Sequence, residues 1–336
     1  MTSVATKPTK RNRVMRYIDK NRESDGYFAK QAAMNTFTMV FKVVLLFGLC
    51  FLILQPLFNQ FSLSVMSPSD LYDASVISIP RNFTWGSYRM AASVMNYWNS
   101  LFTSVGIAIM VSILQIAACT LTAYGFARFN FPLKGFWFMC VILTIIVPPQ
   151  TIMAPMFLNF RFFDVFGIFN ATTGSTVNLL DTLTGYLILV ATGMGLRSGL
   201  YVFMLRQYFR TVPKELEEAA YVDGCGKLRT FVQIMLPDSK PILASCFLFA
   251  FVWQWTDGFY STLFLRGQGV MSVQLSGLAD AYREYYWLLQ GHNPSNASMM
   301  ALIATGLLMG VAPLVVLFLF TQRMFVESIG QSGIKM

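Results

Sequence analysis

Apolar residues in this chain are concentrated in six long runs that are separated by polar connections. The runs occupy residues 37–62, 97–125, 134–158, 182–205, 241–265 and 298–322. A helix needs roughly 20 residues to cross a hydrocarbon core of about 30 Å, and each run is long enough. Helices satisfy all their backbone hydrogen bonds internally, which lipid requires. The pattern therefore predicts an all-α polytopic membrane protein with about six transmembrane helices.

Composition supports a membrane location. Of the 336 residues, 55% are hydrophobic and 12% are charged, whereas about a quarter of the residues are charged in a soluble domain. The first run follows a long charged tail and stays apolar for more than twenty residues, which indicates a retained anchor rather than a cleaved signal peptide. We expect a basic tail at 1–36, a first transmembrane helix at 37–62, a core of five transmembrane helices at 97–325, and a second tail at 326–336.

The net charge of +9 is unevenly distributed. Lys and Arg are concentrated in the N-terminal tail and in the connections after the second and fourth runs. Basic residues accumulate on the cytosolic side of membrane proteins, so this distribution predicts that both termini lie in the cytosol. Because the basic clusters flank apolar runs, contact with membrane lipid explains them better than nucleic-acid binding does.

The residue types that carry catalysis are scarce. The five cysteines include no C-x-x-C pair, and His292 is the only histidine, so neither a metal site nor a disulfide framework is indicated. The chain lacks the G-x-x-x-x-G-K-[ST] loop of ATPases. We expect no catalytic residues and no cofactor bound to this chain.

The connection at 206–241 has the pattern of two short helices joined by a glycine turn. Thr211 can cap the first helix, and Pro213 suits its first turn. Acidic residues follow near the positive end of the helix dipole, and Gly224 and Gly226 can end the helix. Small side chains at Ala219 and Ala220 would let a partner backbone approach closely. A lever that transmits motion and an amphipathic helix lying on the bilayer are both consistent with this pattern.

Residues 218–237 read Glu-Ala-Ala, three residues, Gly224, nine residues, Ile234, one residue, Leu236-Pro237. This spacing resembles the EAA motif of bacterial binding-protein-dependent ABC importer permeases. The extended form, from Pro213 to Gly224, looks most like the carbohydrate branch, the relatives of the maltose permease subunit with six spans. The resemblance extends to most of the chain, including Ala123-Tyr124-x-x-Ala127-Arg128-Phe129.

The resemblance implies the type I ABC importer permease fold and a place in the bacterial inner membrane. It also implies four kinds of partner: a second permease subunit in a heterodimer, two ATP-binding cassette subunits that bind ATP and Mg, an extracytoplasmic solute-binding protein, and lipid. The coupling loop would dock on the ATPase through Glu217, Glu218, Ala219, Ala220, Asp223 and Gly224. Thr256 departs from the family pattern, which often has Asn there, and residues 164–181 are longer and more polar than expected.

A candidate solute pathway lies in the fourth and fifth runs. Ionisable residues within a membrane span are costly and often functional, and Asp257 and Arg197 are two of them. On a continuous helix Trp253, Asp257 and Tyr260 would share a face, and Trp255 and Phe259 form a neighbouring stripe. Aromatic faces with a few polar groups suit sugar rings. Asp257 could instead bind neighbouring backbone or Arg197, and the aromatic residues could simply pack against other helices.

Two other features leave alternatives open. Pro148 and Pro149 predict either a hinge or a static kink in the third run, and the glycines at 193–199 predict close helix approach or a break. The solute remains open between a sugar, a sugar-phosphate ester and a non-sugar compound. An ion-coupled secondary transporter is the alternative function, although it would be expected to have inverted repeats and more intramembrane acids.

Overall fold

The computed structural model describes residues 27–333, except for 74, 78 and 166, and the elements in that part of the chain are helices and two isolated bridges. The first helices are α1 Tyr27–Val65, α2 Pro68–Tyr72, α3 Gly86–Val94, α4 Tyr97–Arg128, α5 Lys134–Ile146, α6 Met153–Arg161, α7 Ile168–Thr173, α8 Leu183–Ala191 and α9 Ser198–Thr211. The others are α10 Glu215–Val222, α11 Lys227–Thr230, α12 Leu236–Asp238, α13 Lys240–Thr256, α14 Phe259–Phe264, α15 Met271–Ser276, α16 Leu278–Gln290 and α17 Asn296–Gly333. The all-α fold class is therefore confirmed.

Three helices are long and apolar enough to cross a membrane: Ala29–Val65 within α1, all of α4, and Asn296–Gln322 within α17. Two bent pairs pass the same test, with α5 and Pro149–Arg161 at 103°, and Lys227–Asp238 and α13 at 77°. The described residues thus contain three to five candidate spans, and the count of six remains a prediction, as does the orientation.

The chain divides into two compact units, residues 1–62 and residues 63–336. The described part of the first unit, residues 27–62, lies entirely within α1. This helix contains Pro56, and its last residues, 63–65, belong to the second unit. A proline within a transmembrane helix is tolerated because local adjustment can satisfy the carbonyl that it leaves free.

Helix α4 is central to the second unit and packs against α8, α9, α13 and α15. Its buried positions are mostly small or polar and include Ser100, Ser104, Ser112, Gln115 and Thr120. Lipid is as apolar as leucine, so helices in a membrane associate through close packing and hydrogen bonds rather than through hydrophobic burial alone. The side chains of α4 are suited to that mode of packing.

The predicted fourth span, 182–205, is two helices rather than one. Helix α8 ends at Ala191, α9 begins at Ser198, and the backbone between them has positive φ at Gly193 and Arg197. The amide of Gln115 donates to the carbonyl of Leu196 at 2.6 Å and so satisfies an acceptor that the break exposes. The glycines allow close approach as well. A Cβ on Gly199 would collide with the Thr144 side chain of α5.

The other two breaks have local causes. Pro149 lacks the amide donor that a continuing helix would need, and Val147 is extended, so the third predicted span bends there. In the fifth predicted span α13 ends at Thr256, and Asp257 begins α14 by accepting hydrogen bonds from the amides of Phe259, Tyr260 and Ser261 at 2.8–3.3 Å.

The connections at 63–96 and 164–181 are folded. Asp70 is buried and accepts hydrogen bonds from the amides of Arg81 and Asn82, both at 2.7 Å. In the polar segment 164–181, the carboxylate of Asp164 caps α7, and Asp181 accepts a hydrogen bond from the amide of Gly267 at 2.6 Å. Carboxylates that accept hydrogen bonds from backbone amides thus fix these connections.

Candidate functional site

The connection at 206–241, which carries the EAA-like spacing and is called the EAA-like loop below, forms α10 with a helical turn before it and a sharp glycine turn after it. Lys214 is the N-cap, since its carbonyl accepts from the amides of Glu217 and Glu218. The prediction that Thr211 caps this helix is wrong, because its hydroxyl donates back to the carbonyl of Tyr208. Gly224 has φ +81° and ends α10 as predicted, whereas Gly226 has a negative φ and begins α11.

The six predicted coupling residues are divided between two faces of the loop. Glu217 and Ala220 are buried within the chain, whereas four residues are exposed: Glu218, Ala219, Asp223 and Gly224. Adjacent residues of a helix point in directions about 100° apart, so the two neighbouring glutamates cannot contact the same surface.

Glu217 holds the loop against the end of α4. Its carboxylate accepts a hydrogen bond from the hydroxyl of Tyr124 at 3.1 Å and lies 3.3 Å from Nε of Arg128. The contact with Arg128 is an ion pair without hydrogen-bond alignment, because that Nε has no well-placed acceptor. Arg128 also donates to the carbonyl of Val212 at 2.7 Å. One buried pair therefore fixes both ends of the turn that leads into α10.

A cavity of about 500 Å³ lies where the three helix breaks meet. Its walls come from the end of α5, the proline break, the start of α9 and the end of α13. A helix end leaves backbone amides or carbonyls without partners inside the helix, so three ends around one cavity provide polar groups in an apolar surround. Discontinuous helices form solute sites in several membrane transporter folds for this reason.

Three of the five predicted pathway residues line this cavity: Arg197, Trp253 and Asp257. Trp255 instead donates from Nε1 to the carbonyl of Gly310 at 3.0 Å and packs in a core cluster. Tyr260 is buried against the ring of Tyr186. The break at Asp257 explains the position of Tyr260, since residues on either side of the break no longer follow one helical register. Trp255 lies on the same helix as Trp253 but on a different face of it.

The charged residues of the cavity have separate partners. The guanidinium of Arg197 lies over the ring of Trp253, 3.6 Å from its centroid, which is cation–π geometry. The carboxylate of Asp257 is committed to the amides that begin α14. No ion pair joins Arg197 to Asp257 among the described side chains, and the interpretation that Asp257 binds neighbouring backbone is the one that the structure supports.

Sequence reasoning missed several cavity residues. Thr144, Gln150 and Thr256 contribute polar side chains. Phe259, which the sequence placed on the stripe beside the pathway, also lines the cavity. Gln150 follows directly after the proline pair, so its position beside a predicted break was the available signal. No signal in the sequence marks Thr144, because its place in the cavity depends on how α5 packs against α9.

Comparison with known proteins finds a family match and related transport permeases. Residues 116–329 match the family described as the binding-protein-dependent transport system inner membrane component. The chain is 29% identical over 296 residues to the sn-glycerol-3-phosphate transport system permease protein UgpE of Yersinia pestis, with 86% of this chain and 95% of the relative covered. It is 27% identical over 240 residues to the arabinooligosaccharides transport system permease protein AraQ of Halalkalibacterium halodurans, with 71% and 75% covered.

A solved structure has the same fold. A chain from the crystal structure of a bacterial ABC transporter involved in the import of the acidic polysaccharide alginate matches with a TM-score of 0.65 at 20% identity, covering 85% of this chain and 96% of that chain. Fold and sequence together define the class, a permease subunit of an ABC importer. The chain belongs to the binding-protein-dependent transport system inner membrane component family.

Proposed function

We propose that this chain is the transmembrane subunit through which a bacterial ABC importer passes a carbohydrate, either a sugar or an oligosaccharide. In this proposal it lies in the inner membrane as a multi-pass protein with both termini in the cytosol. An extracytoplasmic binding protein delivers the solute, and a second permease subunit completes the pathway. Two partner subunits bind ATP and Mg and hydrolyse the ATP, since the sequence of this chain lacks the G-x-x-x-x-G-K-[ST] loop of ATPases. The transport functions of UgpE and AraQ support the carbohydrate assignment.

The division of α10 into a buried face and an exposed face carries the coupling part of the proposal. Glu217 binds α4, while Glu218 and Ala219 on the same helix are exposed. A helix that is fixed to a spanning helix on one side and free on the other can pass movement of a docked partner to the membrane core. We therefore assign the docking contact to Glu218, Ala219, Asp223 and Gly224, and the anchoring contact to Glu217.

Disulfide crosslinking tests this assignment in the complex purified with its ATPase subunits. Ala219→Cys is exposed, and Ala220→Cys is its matched control because Ala220 is only 4% exposed. Both are made in a chain with Cys225→Ser, which removes the nearest native thiol. We expect Ala219→Cys to crosslink to cysteines placed on the ATPase surface and Ala220→Cys not to. Equal crosslinking at both positions, or none at either, would contradict the docking assignment.

The cavity at the three helix breaks is the proposed solute pathway. Trp253 provides a flat aromatic surface beside polar side chains, which suits a sugar ring, and Arg197 covers one side of that ring. A cation at this position would favour a solute with an anionic group. UgpE transports a phosphate ester, and the alginate importer takes an acidic polysaccharide, so this preference is compatible with the relatives.

Uptake into proteoliposomes tests the pathway. We expect Trp253→Ala to abolish most ATP-driven uptake, whereas Trp98→Ala, an exposed tryptophan away from the cavity, should have little effect. Asp257→Asn is more informative than Asp257→Ala, because asparagine can still cap α14 and only the charge is lost. Wild-type uptake in both Trp253→Ala and Asp257→Asn would refute the pathway assignment.

The same proteoliposomes distinguish an ABC importer permease from the alternative, an ion-coupled secondary transporter. Uptake that continues without ATP and stops when the ion gradient is dissipated would indicate an ion-coupled transporter instead.

A further inference from the structure

A second polar cavity, of about 350 Å³, lies at the end of α4 and is strongly basic. Its polar lining consists of Arg128, Lys134, Arg206, Arg210 and Lys214. These residues come from α4, α5, α9 and the turn before α10, and we refer to the cavity as the basic pocket. It contains no acidic lining residue among the described side chains.

Three of the five cations are held in place by the protein. Arg128 forms the ion pair with Glu217. Lys134 donates to the carbonyl of Phe129 at 2.7 Å, and Arg206 lies over the ring of Phe138, 3.8 Å from its centroid. Only the first of these contacts neutralises a charge, because a carbonyl and an aromatic ring carry none.

Arg210 and Lys214 have no acidic partner within the described part of the chain, and both are exposed. Like charges that share one pocket repel each other, and the repulsion is strongest where protein excludes water. Four cations without a carboxylate in a preformed pocket therefore favour an anion that several of them can contact together.

The surroundings of the basic pocket indicate which anion. The segment that leads into α5 and the first turn of α5 expose several large apolar side chains: Phe131, Leu133, Phe136 and Trp137. Exposed aromatic residues beside basic ones at the end of a spanning helix are typical of the headgroup region of a bilayer. A free phosphate ion would use the cations alone, whereas a lipid would use both the cations and the apolar surface.

We propose that the basic pocket binds the phosphate of an anionic phospholipid headgroup. Basic pockets between spanning helices bind anionic headgroups in other membrane proteins. Lys214 directly precedes α10, so a bound headgroup would fix the turn that positions the EAA-like loop. Only this last consequence depends on the proposed coupling function, and lipid binding itself does not.

Native mass spectrometry of the full chain in mild detergent tests the proposal. Phosphatidylglycerol is titrated against the wild type, with phosphatidylcholine as the neutral lipid and inorganic phosphate as the free anion. The key variant is the double substitution Arg210→Gln with Lys214→Gln, since both side chains are exposed and hold no partner that folding requires. Arg210→Lys keeps the charge, and Lys240→Gln removes an exposed lysine outside the pocket.

We expect phosphatidylglycerol to bind more tightly than phosphatidylcholine. Each removed cation should weaken phosphatidylglycerol binding by about fivefold, so the double variant should lose about 25-fold. Arg210→Lys and Lys240→Gln should bind nearly as the wild type does. An unchanged thermal unfolding temperature of the double variant confirms that the loss is one of binding.

Three outcomes would overturn the proposal. Equal losses in Lys240→Gln and the double variant would show that the effect is general surface charge. Displacement of the lipid by an equal concentration of inorganic phosphate would identify a free-anion site. Loss of lipid binding when the chain is purified with its ATPase subunits would show that an acidic protein surface covers the pocket.

Discussion

Replacing Glu217 by glutamine should loosen the EAA-like loop without touching its exposed face. The side chains of Arg128 and Glu217 are 6% and 9% exposed. Glutamine can still accept the hydrogen bond from Tyr124, but it leaves the guanidinium of Arg128 without a counter-charge in a buried place. Glu218→Gln is the matched variant, because it changes the adjacent, exposed residue in the same chemical way.

The expected size of the effect follows from the burial of the pair. Removing one partner of a buried ion pair costs about 3–5 kcal/mol. Because glutamine keeps the contact with Tyr124, we expect a loss near the lower end, about 3 kcal/mol. Exposed substitutions away from such contacts stay within about 0.5 kcal/mol, which is the expectation for Glu218→Gln.

Hydrogen exchange measures this difference locally. A loss of about 3 kcal/mol in the free energy of opening corresponds to amide exchange roughly a hundredfold faster in peptides covering residues 213–225. We expect this acceleration in Glu217→Gln and not in Glu218→Gln. ATP-driven uptake should fall more in Glu218→Gln than in Glu217→Gln, since of these two residues only Glu218 is placed to contact a partner.

Adding Arg128→Met to Glu217→Gln checks the cause. The second change removes the unpaired charge, so the double variant should be more stable than the sum of the two single losses predicts. Equal exchange rates in Glu217→Gln and Glu218→Gln, or strictly additive losses in the double variant, would refute the anchoring role of the pair.

Three further predictions concern the frame around these sites. Gly199→Val should cost about 2 kcal/mol or more, because its Cβ would collide with Thr144 and force α5 away from α9; thermal unfolding in detergent measures this. Gly224→Ala should cost about 1 kcal/mol, since φ there is +81°, and should speed exchange at the end of α10. Hydrogen bonds lower the pKa of Asp70 below its ordinary value of 3.8, and the one from the backbone amide of Asn82 has the largest effect. The stabilisation from Asp70 is therefore complete above that value and is lost as the pH falls through the lower pKa of the folded state. Asp70→Asn should remove the Asp70 contribution to the pH dependence of hydrogen exchange at residues 66–83. Asp73, whose pKa is lowered by its hydrogen bonds with Ser75, retains its own contribution.

Each of these has a control in the same chain. Gly106→Ala adds a methyl group where nothing lies within 4 Å, and Gly226→Ala changes a glycine with negative φ. Asp73→Asn removes an exposed carboxylate from the same connection as Asp70. A control that lost as much stability as its partner variant would contradict the local explanation given for that partner.

Much of the fold could be predicted because the information is local. The second predicted span begins at 97, as α4 does, and the sixth lies within α17. Run length and the cost of unpaired backbone in lipid together require helices there. The EAA-like spacing and the turn at Gly224 are local in the same way, and the family match agrees with the resemblance.

The cavity could be predicted only in part, because hydrophobic runs do not disclose where a helix breaks. The shared face of Trp253, Asp257 and Tyr260 assumed one continuous helix, and Asp257 ends that register by capping α14. The break in the predicted fourth span was one of two alternatives for the glycines at 193–199, because residues 182–205 are apolar on both sides of it and the apolar run alone does not decide between them.

The sequence by itself determined that this is a helical membrane protein and which loop carries the family motif. Composition and spacing are enough for that, because lipid allows few backbone structures and the motif lies within one short segment. Only the tertiary structure decided that Glu217 faces inward and Glu218 outward. That choice depends on Tyr124 and Arg128, about ninety positions earlier in the chain, and no local pattern records which face of a short helix a distant helix will cover.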